Sequence, residues 1–194
     1  MLACVESSAK SLAIDVFDDQ ERNVDRSGRG VREIFENNLK KHCESSENVT
    51  VRQMDSLAIR SKEVIDFSAQ FLPFRFFSVD GGHTPIHALN DIIVAQELTA
   101  NGGVIIVDDI FHPDWPGVTE AVYRYLSQEN AKYVPLCIAG QKLYLTAFGF
   151  AEPYLRVLAE DLKRSRPNSF MKTVSVHGHR CLSFHLHEAD PVIN

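Results

Sequence analysis

Two short apolar runs, each set against paired glycines and each ending in carboxylate, constrain this chain more than any other feature. Phe76-Phe77-Ser78-Val79 stops at Asp80 and is followed by Gly81-Gly82-His83. Val104-Ile105-Ile106-Val107 is introduced by Gly102-Gly103 and stops at Asp108-Asp109. Apolar runs of this length, bounded by turn residues, read as strands buried on both faces, the pattern of a parallel sheet. Open α/β sheets bind ligands beyond the C-terminal ends of their strands, so Asp80, Asp108 and Asp109 should share one rim. Three carboxylates there form a hard, oxygen-rich site for a divalent cation such as Mg2+. His83, three residues after the first of them, is placed to act as a base.

The flanking sequence supplies the rest of an alternating layout. Leu12 to Phe17 predicts a strand, followed by a polar loop from Asp18 to Gly30 and a helix whose Val31, Ile34, Phe35 and Leu39 recur at helical spacing up to His42. Val49-Thr50-Val51 predicts another strand, ending near Asp55-Ser56, with Ser56 as the cap of a helix running towards Ile65. After Asp80, Thr84 is an N-cap with Pro85 at the first helical position, and Ile86, Leu89 and Ile93 make the apolar stripe. Pro116 opens a further helix with Val118, Ala121, Val122, Tyr125 and Leu126 on one face. The strand-helix alternation predicts an α/β fold, a mostly parallel sheet with helices on both sides. Beyond residue 130, Tyr133 to Ala139 and Lys142 to Phe148 flank Gly140-Gln141 as an antiparallel hairpin expected at the sheet edge. A helix from about Glu152 to Arg164 and a second hairpin-like pair around His177-Gly178-His179-Arg180 complete a single domain over 1–194, with a C-terminal extension at about 151–187.

Composition narrows the partners. With 194 residues and 44% hydrophobic content, one full core is expected. A net charge of -6 gives no electrostatic reason to expect nucleic acid or an anionic membrane. The apolar runs are too short to span a bilayer, and Met1 to Glu6 lacks the basic flank of a signal peptide, so a cytoplasmic protein is expected. Cys4, Cys43, Cys137 and Cys181 are scattered without a C-x-x-C pair, which fits reduced thiols. The sequence leaves the oligomeric state open, a homo-oligomer included.

Parallel strands finished by a hairpin resemble the class I S-adenosylmethionine-dependent methyltransferases. The stretches Val79 to His83 and Gly102 to Asp109 are similar to the metal-dependent O-methyltransferase branch, catechol and macrolide-sugar types, and most to the latter. That resemblance implies S-adenosylmethionine as cofactor and Mg2+ or another divalent cation on Asp80, Asp108 and Asp109. It also implies His83 as general base and a small-molecule hydroxyl as methyl acceptor. It places Asp15, with Asp18 competing, at the ribose hydroxyls, Asp55 and Ser56 near the adenine ring, and Asp80 beside the cofactor as well as the metal. The loop Phe17 to Gly28 also resembles bacterial members of the group and reads either as a cover over cofactor or substrate or as a solvated loop.

One departure stands out. Members of this class begin with a strand and a glycine-rich turn that holds the methionine part of the cofactor, and nothing before Leu12 resembles either. Met1 to Lys10 looks like the tail of the helix that follows such a turn. The expected sheet therefore lacks a first strand at its centre, unless another segment or subunit fills the gap.

Other readings compete at each position. A carboxylate at a strand end also caps helices or pairs with lysine, His83 can pack at a helix start, and Phe111, His112 and Trp115 can line a substrate pocket or merely pin their loop. His177, His179, Cys181, His185 and His187 would share a face if one extended strand carried them, a possible transition-metal site, although Gly178 argues for a turn. A methyltransferase-like binding or assembly module without cofactor, and a metal-dependent hydrolase on the same rim, are the alternative functions.

Overall fold

The computed structural model describes residues 10–71, 73–167 and 170–185. Its strands fall into two groups. A two-stranded parallel sheet pairs β1 (Ser11–Asp15) with β2 (Val49–Gln53), Ser11 opposite Val49 and Asp15 opposite Gln53. The other sheet has six strands in the order β3-β4-β6-β5-β8-β7. It comprises β3 (Phe74–Val79), β4 (Thr99–Val107), β5 (Tyr133–Ala139), β6 (Lys142–Ala147), β7 (Met171–Val176) and β8 (His179–Phe184). β3 and β4 run parallel, as do β5 and β8, whereas β4–β6, β5–β6 and β7–β8 are antiparallel.

Helices cover both faces of the larger sheet. Along β6, Leu143 and Leu145 join one core while Tyr144 between them packs on another, as the two-residue period of a strand requires. The first core is closed by α3 (Pro85–Leu98), through Ala88, Ile92 and Ala95, and by α4 (Pro116–Leu126), through Val118, Ala121, Val122 and Tyr125. The second is closed by α5 (Phe148–Ser165), through Leu155 and Leu162 against Leu136, Leu182 and Phe184. The remaining helices are α1 (Arg32–His42) and α2 (Ser61–Phe71), and Leu12 and Ile14 of β1 pack with Phe67, Val94 and Leu98.

Most expected elements form, with local corrections. The first strand ends at Asp15 because Phe17 turns into the left-handed region (φ 47°) and is buried. Asp55, not Ser56, is the cap: its carboxylate accepts the Leu57 N–H at 2.8 Å over a single 3-10 turn, and α2 starts only at Ser61. Thr84 does cap α3, its hydroxyl accepting the His87 N–H. The apolar stripe expected on α3 is not its buried face, for Ile86 is 66% exposed while Ala88 and Ile92 are buried. The α4 face is as expected. The Gly140-Gln141 hairpin lies inside the sheet rather than at its edge, because β8 adds beyond β5 and β7 beyond β8. His177 and Gly178 both take positive φ, 48° and 80°, and form the two-residue turn between β7 and β8.

Candidate functional site

The site is built at the C-terminal ends of β3 and β4. The two ends are tied by the Asp108 N–H donating to the Val79 carbonyl at 3.0 Å. Asp109 then takes a positive φ of 58°, uncommon outside glycine but tolerated by Asp. That turn sends neighbouring carboxylates apart. Asp108 pairs with the ammonium of Lys142, the first residue of β6, while Asp109 Oδ2 lies 3.0 Å from His83 Nε2. Asp80, His83 and Asp109 each bring one ligand atom to within 4.8 Å of the others, a group able to hold a metal ion. Among the described residues it is the one such group.

His83 is held from several directions. Asp25, in the loop between β1 and α1, accepts the His83 backbone N–H at 2.5 Å and lies 2.9 Å from ring Nδ1, using the same oxygen. The other oxygen of Asp25 accepts the Ser27 N–H at 2.9 Å and the Ser27 hydroxyl at 2.7 Å. Burial pushes the Asp25 carboxyl up, but the Ser27 and His83 hydrogen bonds outweigh it and hold the group well below the usual carboxylate range. Trp115 stacks on the imidazole with ring centres 4.4 Å apart. The Asp80 carboxyl is raised above its ordinary value, first by desolvation at the cleft and next by the neighbouring charge of Asp108.

These groups open into a cavity of ≈ 1270 Å³, larger than the 300–1,000 Å³ common for small-ligand pockets. Asp15, Asp55, Ser56, Asp80, His83, Asp109 and Trp115 all line it. Asp18 is exposed and outside its lining, and Asp108 is turned to Lys142. Asp15 accepts the Phe17 N–H, which fixes the strand exit. Asp55 also stands 4.0 Å from His87 Nε2, and Ser56 hydrogen-bonds the buried Asp91.

Sequence reasoning missed Asp25, His87, Asp91 and Lys142. The one available signal was the polar loop holding Asp25, since 58 residues separate it from His83. Phe111 is exposed and His112 accepts the Asp114 N–H instead of entering the cavity. His177 meets Tyr123, and His185 meets Phe170, so the described histidines of the C-terminal segment do not converge. His187, Cys4 and Met1 to Ala9 lie outside the described residues. Cys43, Cys137 and Cys181 are buried free thiols. No described helix is long and apolar enough to cross a membrane.

An α/β sheet with a carboxylate and histidine rim at its strand ends is the general setting of ligand-binding enzymes of this layout. Residues 1–110 match the methyltransferase domain family, and the chain belongs to it. Among solved structures it is similar to the MycE methyltransferase from the mycinamycin biosynthetic pathway, in complex with Mg and SAH, at 13% identity and a TM-score of 0.47. That alignment covers 72% of this chain and 45% of the other, so the chain spans less than half the length of that neighbour. No protein in a curated collection matches the sequence.

Proposed function

We propose that the chain forms the acceptor and metal side of an S-adenosylmethionine-dependent O-methyltransferase acting on a small-molecule hydroxyl. The observation that carries this is the convergence of Asp80, His83 and Asp109 in the wall of a large cavity in a chain of the methyltransferase domain family. Carboxylate oxygens suit Mg2+, and the Asp80 carboxyl, raised first by desolvation and next by the charge of Asp108, is one whose ionised form a cation would favour. Asp80 and Asp109 would hold the cation, with Asp108 adding its charge from the Lys142 pair. A divalent cation held by Asp80 and Asp109 would supply Lewis acidity, lowering the pKa of an adjacent hydroxyl.

His83 Nε2 would take the acceptor's hydroxyl proton. S-adenosylmethionine, when bound, would supply the methyl group, the new C–O bond replacing its C–S bond and leaving a thioether. Trp115 and Asp25 keep the imidazole from swinging away, so positioning supplies much of the rate. The cavity size and the division of the strands into two groups support a further part of the reading. A strand between β1 and β3, with a glycine-rich turn, would complete the cofactor side.

One observation favours a second reading. His83 belongs to the same metal-capable group as the two aspartates, and an imidazole ligand suits a transition metal in a metal-dependent hydrolase. Calorimetry with S-adenosylmethionine, Mg2+ and Zn2+ separates the two: in the methyltransferase Mg2+ binds this chain and the cofactor binds a form that also carries the additional strand and turn, whereas Zn2+ alone binds in the hydrolase. His83→Ala should lower methyl transfer by about 100-fold to 10,000-fold, the usual range for a positioned base, while Mg2+ affinity changes little. A His83→Ala enzyme with parental turnover removes His83 from the chemistry.

A further inference from the structure

We propose that Asp25 is the positioning residue of this site, fixing the ring and tautomer of His83 from a distant loop. A neutral imidazole has one N–H and one lone pair, and the hydrogen bond made by one nitrogen decides which nitrogen is basic. At His83 both ring nitrogens face carboxylate, Asp25 at Nδ1 and Asp109 at Nε2. The two contacts are unequal. Asp25 also takes the His83 backbone N–H on the same oxygen, so ring and main chain are clamped together. Its side chain is 8% exposed, against 20% for Asp109. Its second oxygen is anchored by two donors of Ser27, and the loop bends sharply at Arg26, φ 58°. An anchored, ionised carboxylate of this kind holds the proton on Nδ1, so that Nε2, beside Asp109 Oδ2, is the basic nitrogen of the neutral ring.

The same contact gives the loop a task. Residues of this loop, Phe17, Gln20, Asn23, Ser27 and Gly28, line the cavity, so a segment of the cavity wall also sets the histidine. Wall and base are thereby coupled: displacing the loop releases Nδ1. The catalytic consequence rests on the reading of His83 as base, but the tautomer does not.

The test is nitrogen NMR of the ring in protein labelled with 15N-histidine, with His83→Gln used to assign the signal. At a pH where the ring is neutral, the parent should show a protonated Nδ1 and an unprotonated Nε2, and an Nε2–H form in the parent overturns the proposal without any variant. Asp25→Ala should shift the ring towards a mixture of tautomers and lower kcat by about 100-fold or more with KM little changed. Asp25→Asn should do the same, because an amide cannot accept from both Ser27 and His83 at once. Variants that keep the parental ring signal and kcat overturn the positioning role. If His83→Ala leaves methyl transfer intact, the base reading fails while the ring signal still reports on Asp25.

Discussion

Adjacent residues at the end of β4 do different things because one of them has a left-handed backbone. Asp108 continues the strand direction into the Lys142 pair, and Asp109, at φ 58°, faces His83. Around Asp80 the charge balance sets a pH dependence. Its folded carboxyl lies above the ordinary 3.8, so the charged form costs stability. This cost is absent below 3.8 and grows as pH rises through the raised value. Without divalent cation at neutral pH, Asp80→Ala should therefore be at least as stable as the parent, and the gap should close on acidification. With Mg2+ the order should reverse, because the parent gains a ligand-linked increase in Tm that Asp80→Ala and Asp109→Ala lack. A thermal-shift titration in which Mg2+ raises the Tm of Asp80→Ala as much as that of the parent would place the cation elsewhere. Asp80, His83 and Asp109 were legible because strand, glycine pair and carboxylate sit within a few residues of each other. Asp25 and Lys142 were not, since their roles come from a loop path and a strand pairing that no local period encodes.

At the level of elements, helix starts carry the site, and two glycines there behave oppositely. Gly117 follows Pro116 at the start of α4, where an added Cβ would meet the His83 carbonyl oxygen at 2.6 Å and Pro85 Cδ at 2.7 Å. Gly149 follows Phe148 at the start of α5, with nothing within 4 Å of an added Cβ. Gly117→Ala should cost about 1–3 kcal/mol, because the obstacle is backbone of the very turn that holds His83. Gly149→Ala should stabilise by up to about 0.5–1 kcal/mol through the lower entropy of alanine in the unfolded chain. Chemical denaturation of both variants checks the pair, and equal effects would show that the close approach at Gly117 is not retained in solution. The buried faces of α3 and α4 contrast in the same way. The α4 pattern was readable because one side packs on the sheet and the other meets water. On α3 the expected stripe misled, since that helix also packs against α2, α4 and the Ser56–Ala58 turn, so small and polar residues such as Ala88 and Asp91 are buried while Ile86 is exposed. Both hairpins were legible from their turns, but the rank of each strand in the sheet depends on distant partners.

For the whole molecule, the division between the two sheets decides what the site can hold. Among the described residues β1 pairs only with β2, and β3 only with β4, so each keeps one edge without a strand neighbour. Residues of both, Ser11 to Asp15 and Phe74 to Val79, line the cavity. Unpaired strand edges leave backbone donors and acceptors to water, and Phe76 on β3 is 48% exposed. Under the proposed reading, a further strand between them would take up these free edges and occupy part of the cavity. A longer form of the protein that supplies such a strand and glycine-rich turn should therefore gain stability and S-adenosylmethionine affinity together, the turn donating amide N–H groups to the cofactor's carboxylate. Hydrogen exchange gives the local readout: amides of β1 and β3 should exchange faster than those of β4 and β6 in the 194-residue chain, and slow markedly in the longer form. Micromolar cofactor binding by the 194-residue chain, unchanged in the longer form and with β1 and β3 already protected, would show that the space between the sheets needs no strand.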